Sequence, residues 1–222
     1  MRTGFWHQVK AVIDRDLLRE RRQGDMLWIT IPFGAIALLL VPLAIGTDAV
    51  LLREIGPGMY WVIVMLFGVL VAVGRASRET IPQQDASALL GLDPAAGFVG
   101  KTASSAIFLL IFEIVVGLVA VGLYDISMVG FGWLVLTLIL IAVGLALLGT
   151  LTAGIVNSSS AGTALVPLLV APLSVPLLLG ATQSYDGVQG GYSILSWVLV
   201  MVAVVLMVAI VGVLTARPLQ ET

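Results

Sequence analysis

The sequence predicts an all-α integral membrane protein with six transmembrane helices and both termini inside. It also predicts an amphipathic interfacial helix at the N-terminus and a short cytoplasmic helix between spans two and three. Three observations carry this. The 222 residues are 59% hydrophobic and only 11% charged, where soluble domains hold about 25% charged residues, and mean hydropathy is +1.11. Six apolar runs approach or exceed the roughly 20 residues a helix needs to cross a bilayer. Of the 11 Lys and Arg residues, all but Arg53 fall on one side of a six-span arrangement, and short loops rich in Lys and Arg stay inside.

Residues 1–26 come first. Phe5, Val9, Val12, Ile13 and Leu17 recur at helical spacing, with Lys10, Asp14, Arg15, Arg19 and Arg22 as the charged face. Such a helix lies in the bilayer interface, as a topology anchor, a docking element for another protein, or both. The apolar run begins only at Leu27 with no small-residue cleavage site before it, which predicts a retained span and not a signal peptide.

The spans are expected at 27–46, 58–75, 103–123, 131–155, 163–183 and 193–215, in a membrane domain of 27–215 with a tail at 216–222. Outer loops at 47–57, 124–130 and 184–192 are too short for a folded domain. Helices are the expected spanning form, because lipid offers no partner to an open backbone amide. There is no convincing internal repeat, which counts against a secondary transporter built from inverted halves.

Between spans two and three lies RASRETIPQQDASALLGLDPAAGFVGK. Ala86, Leu89, Leu90 and Leu92 suit one amphipathic turn, with Asp85 or Ser87 as its cap and Pro82 and Pro94 bracketing it. Its end, AAGFVGKT (95–102), matches the spacing of a phosphate-binding loop if Ala95 stands for the first glycine. That loop needs a strand before it and a helix after it in an α/β domain. Asp93-Pro94 precedes the match and a membrane helix follows, so Lys101 reads as an interfacial anchor and Gly100 as a point of close approach.

Cysteine is absent and His7 is the single histidine, which excludes a thiolate metal site and a histidine-based triad built on this chain. A net charge of −2 gives no reason to expect nucleic acid.

Three stretches resemble the CcmB family, the permease subunit of the ABC-type haem exporter of cytochrome c maturation: PGMYWV (57–62), DPAAGFVGK (93–101) and APLSVPLLLGA (171–181). The chain departs from the family at its Gly-x-Leu-Glu stretch, where it reads Pro82-Gln83-Gln84-Asp85 and keeps only the acidic position. The resemblance implies an ABC-2-type exporter permease in the cell inner membrane. It implies a non-catalytic chain that pairs with a second copy of itself, with ATP bound and hydrolysed on a separate CcmA-like ATPase. CcmC-like and CcmD-like subunits are the further implied partners. Residues 79–94 become the coupling helix on the ATPase, with Glu79, Asp85 and Asp93 as charged contacts and Leu89 and Leu90 as anchors. The same architecture with a lipid or drug-like cargo, or a scaffold or secondary transporter without an ATPase, are the alternatives.

Glu113 is the one acidic residue inside a span. An acid at mid-bilayer costs about 2.5–3.5 kcal/mol on the insertion scale, and two readings stand: an interhelical hydrogen bond or a role in coupling or substrate passage. Gln183, Thr137 and Ser174 are its candidate partners. Pro172 and Pro176 interrupt the ladder of span five and predict a kinked span, static or moving. Ala146, Thr150 and Gly154 form a small-residue stripe suited to a seam between two copies. Haem needs axial ligands; Met59 and Tyr60 are the only pair near the outer face, so no cofactor is expected on this chain directly and haem, as cargo, is expected to be held by another chain.

Overall fold

A chain in lipid satisfies its backbone amides within each segment, and helix is what the computed structural model shows throughout. It describes residues 4–23, 25–78, 92–157 and 165–216. In order these form α1 (Phe5–Gln23), α2 (Asp25–Ile45), α3 (Ala49–Arg78), α4 (Pro94–Tyr124), α5 (Phe131–Asn157), α6 (Leu165–Gly190) and α7 (Leu195–Thr215). Among the described residues there is no strand. Six of the helices, α2 to α7, are long and apolar enough to cross a membrane.

Three span limits differ from the sequence expectation. Helix α3 starts at Ala49, so most of the expected outer loop 47–57 is helical. Asp48 starts it: its Oδ1 accepts from the Val50 and Leu51 amides at 2.8 and 3.3 Å, an N-cap that Pro57 obscured in the sequence. Helix α6 runs on to Gly190. Helix α4 begins at Pro94, not near 103. Asp93 caps it through an Oδ1 bond from the Ala95 amide at 2.9 Å, with Pro94 in the first turn, where its missing N–H costs nothing. Residues 95–102 are therefore continuous helix and not a phosphate cradle.

Helix α5 is the centre of the bundle, packed on α3, α4, α6 and α7. Its Ile141, Ala142, Leu145 and Leu148 are buried. In the small-residue stripe, Ala146 is buried in the chain's own core, Thr150 Oγ1 donates back to the Ala146 carbonyl at 2.8 Å, and Thr150 and Gly154 are half-buried. Helices α2 and α7 lie at the margin and expose Phe33, Leu40 and Leu43, and Leu199, Leu206 and Ile210, respectively.

Tyr124 ties the outer end together. Pro42 lacks the N–H that would bond the Leu38 carbonyl. The Tyr124 hydroxyl donates to that carbonyl instead, at 2.7 Å. The same ring lies against α3 at Gly56, where a Cβ would come within 2.6 Å of Tyr124 Cβ. In α6, Pro172 and Pro176 sit inside a helix assigned without a break; each removes one ladder bond, which a membrane helix tolerates when neighbours cover the freed carbonyl.

Candidate functional site

The functional residues named from the sequence divide between two levels of α4. At the inner level, marked by the positive residues, α1 lies on α4. Val9 and Val12 are buried there, and Gly100 makes the approach possible, since a Cβ on it would meet Val12 Cβ at 2.7 Å and the Val9 carbonyl at 3.1 Å. Ile13 and Leu17 are half-buried, whereas Phe5, expected on the apolar face, is exposed and stacks edge-on with Trp6. Trp6 is 74% exposed, as an interfacial aromatic anchor would be.

Polar atoms lock this joint. The Asp93 amide donates to Gln8 Oε1 at 2.8 Å. Ser104 Oγ donates to Asp16 Oδ2 at 3.1 Å and to the Lys101 carbonyl at 2.9 Å. Asp16 also pairs with Arg15 at 3.0 Å. Asp93, the last of the expected coupling residues, therefore joins the end of the cytoplasmic segment to both α1 and α4. Glu79, Asp85, Leu89 and Leu90 lie outside the described residues. Lys101 sits inside α4, in its N-terminal part.

Glu113 occupies the second level. It has no exposed surface, and neither carboxyl oxygen has a hydrogen-bond partner. None of the three expected partners serves it. Thr137 Oγ1 donates to the Trp133 carbonyl and Ser174 Oγ to the Ala171 carbonyl, and Gln183 is exposed. The interhelical hydrogen bond offered as its structural explanation is absent from this arrangement. A buried polar group without a partner costs about 1–3 kcal/mol, and more when charged.

Tyr60 stands beside it. Its hydroxyl donates to the Glu113 backbone carbonyl at 2.9 Å, and it passes over Gly117, where a Cβ would lie 3.5 Å from the hydroxyl oxygen. Tyr60 is 7% exposed and faces the bundle. Sequence reasoning missed its bond to α4 because a tyrosine in an apolar run carries no mark of which helix it will reach.

At the outer end, a cleft between α3, α5 and α6 is lined by Trp61, Trp133, Thr137, Ser184 and Tyr185. Its volume is about 10 Å³, about the room one water molecule needs. Among the described residues no group of three or more His, Asp or Glu side chains is placed to hold a metal ion.

Comparison with known proteins gives a consistent result. A family model described as CcmB protein matches residues 7–218. Heme exporter protein B of Bradyrhizobium diazoefficiens is 27% identical over 192 residues, 82% of this chain and 83% of the relative. Heme exporter protein B of Paracoccus denitrificans is 29% identical over 189 residues, 82% of this chain and 84% of the relative.

Proposed function

The chain belongs to the CcmB family, and on that premise we propose how it works as the membrane permease subunit of a haem exporter. Two copies pair in the cell inner membrane. A CcmA-like ATPase docks on their cytoplasmic side and hydrolyses ATP, and this chain carries no catalytic centre and no bound cofactor. CcmC-like and CcmD-like subunits complete the complex and hold the haem. ATP-driven movement of the coupling segment 79–94 drives haem release or transfer at the outer face, in cytochrome c biogenesis.

The observation that supports this reading is the joint at the inner end of α4. A force applied to the coupling segment reaches Asp93, which caps α4 and is bonded to Gln8 of α1. Helix α4 then carries the displacement as a rigid rod to Glu113 at mid-span and to Tyr124 at its outer end. Helix α1 moves with it through Val9, Val12 and Asp16. Leu89 and Leu90 anchor the ATPase, and Glu79 and Asp85 orient its approach, since charges at a rim act mainly on encounter and specificity.

The experiment is to purify the native complex, identify its chains and record a haem absorption spectrum. An ATPase chain is expected in the complex, and L89D/L90D is expected to lose it while the membrane chain persists. A native complex without an ATPase would overturn the reading. Undiminished ATPase binding by L89D/L90D would remove the coupling role from those leucines.

A further inference from the structure

Glu113 is packed as no other acid in the described chain is. It is fully buried at mid-span with both carboxyl oxygens unpartnered. The helices packed on α4 are α1, α2, α3, α5 and α7. At this level α3 presents one titratable group, Tyr60, whose hydroxyl is engaged by the Glu113 carbonyl. The sole ionisable residue of α2 is Asp25, at its inner end, and α5 and α7 have none. The charges of α1 and Lys101 lie at the inner end of α4; Arg53 and Asp125 pair at the outer end. Among the described residues no ion pair or hydrogen bond reaches the Glu113 carboxyl group. A carboxylate without a donor or counter-ion in such a place is far more costly than the neutral acid, so the packed bundle accommodates Glu113 with its proton on.

Glu113 borders the seam between α3 and α4, where Tyr60 reaches its carbonyl. At the level of Glu113 the contacts between α3 and α4 include Phe67 on Phe112, with ring centroids 5.6 Å apart, and the Tyr60 hydrogen bond to the Glu113 carbonyl; the Arg53–Asp125 pair closes the seam at its outer end. Opening it admits water to Glu113 and removes the reason for the proton to stay.

We propose that Glu113 is a proton-binding site that holds its proton while α3 and α4 are packed and releases it to water when their seam opens during transport. This rests on the chain's role as an ATP-driven permease. In the release step the acid O–H bond breaks, the proton passes to a water molecule, and the electron pair stays on the hydrated carboxylate. Closure reverses it, and no oxidant or reductant takes part. Tyr60 is the positioning residue: it fixes the Glu113 backbone against α3 and sets when the acid meets water.

The test uses the exporter complex with its ATPase in lipid nanodiscs. Infrared difference spectra are recorded on adding ATP to wild type, E113Q, E113L and Y60F. Wild type is expected to lose a carboxylic-acid C=O band and gain a carboxylate band, and both features should be missing from E113Q. E113L provides the same subtraction if E113Q does not fold. Y60F is expected to keep the acid band but shift it. Turnover by E113Q should fall at least tenfold and lose the pH dependence seen in wild type, with the ATPase still bound. An acid band that ATP leaves unchanged while hydrolysis proceeds would overturn the proton site and leave the permease reading intact. So would E113Q with wild-type turnover and pH profile. An unshifted band in Y60F would overturn the part assigned to Tyr60. A wild-type complex that lacks an ATPase fails at the earlier step instead.

Discussion

Two levels of α4 treat acidic residues in opposite ways. At the inner end Asp93 caps its own helix and Asp16 accepts from Ser104 while pairing with Arg15. There the acids join elements, and the one orphan hydroxyl nearby, on Thr102, is neutral. At mid-span Glu113 joins nothing through its carboxyl group. A group that holds a structure together is lost at a cost in stability; one the structure merely tolerates is lost at no cost in stability but at a cost in function.

The sharpest way to break that contrast is Gly100→Leu. The new Cβ would sit 2.7 Å from Val12 Cβ, both atoms being held by helix backbones, so α1 must lift. We expect a loss near 2–3 kcal/mol, the upper part of the range for overpacking. Thermal unfolding in nanodiscs measures it, and limited proteolysis should then cut α1. An α1 as protected as in wild type would mean the joint is looser than its packing implies.

Next in size is Tyr124→Phe, which strips the donor from the carbonyl that Pro42 leaves free at Leu38. A loss of about 1–2 kcal/mol is expected, read as a lower unfolding temperature. Tyr124→Phe together with Pro42→Ala should recover part of it, because the alanine amide restores the helical bond.

Glu113→Leu should go the other way. Replacing a buried, unpaired acid with an apolar side chain of similar bulk leaves stability unchanged or raises it by about 1 kcal/mol. A clear destabilisation would place Glu113 with the inner acids, as a structural member with a partner. The smallest effect belongs to Arg53→Ala. Its pair with Asp125 is more than half exposed on both sides, and such pairs contribute at most about 0.5–1 kcal/mol. A larger loss would show that the outer rim is clipped by charge as well as by Tyr124.

The start of α4 shows why span limits were only partly legible. Lys101 reads as an interfacial anchor, and the apolar run after it puts the span near 103. In the fold, Ser104 and Ser105 turn their hydroxyls onto the Lys101 carbonyl, and α1 covers the same face, so these polar residues lie inside a continuous helix. Asp48 was passed over in the same way, because Pro57 looked like the natural beginning of a span. In the stripe of Ala146, Thr150 and Gly154, Ala146 turns into the chain's own core while Thr150 and Gly154 stay half-buried: close packing is a local property, and the identity of the neighbour is not.

Hydropathy along one chain was enough for the six spans, the amphipathic α1 and the lone acid at mid-span, since each follows from local composition and spacing, while the likeness to a family rests on three short motifs. Which face each helix buries was decided only when the helices met. Lipid is as apolar as the bundle interior, so a leucine facing lipid and a leucine facing α5 look alike in the sequence. For that reason the central place of α5, the reach of Tyr124 to Leu38, the contact of Tyr60 with α4 and the empty surroundings of the Glu113 carboxyl belong to the tertiary structure alone.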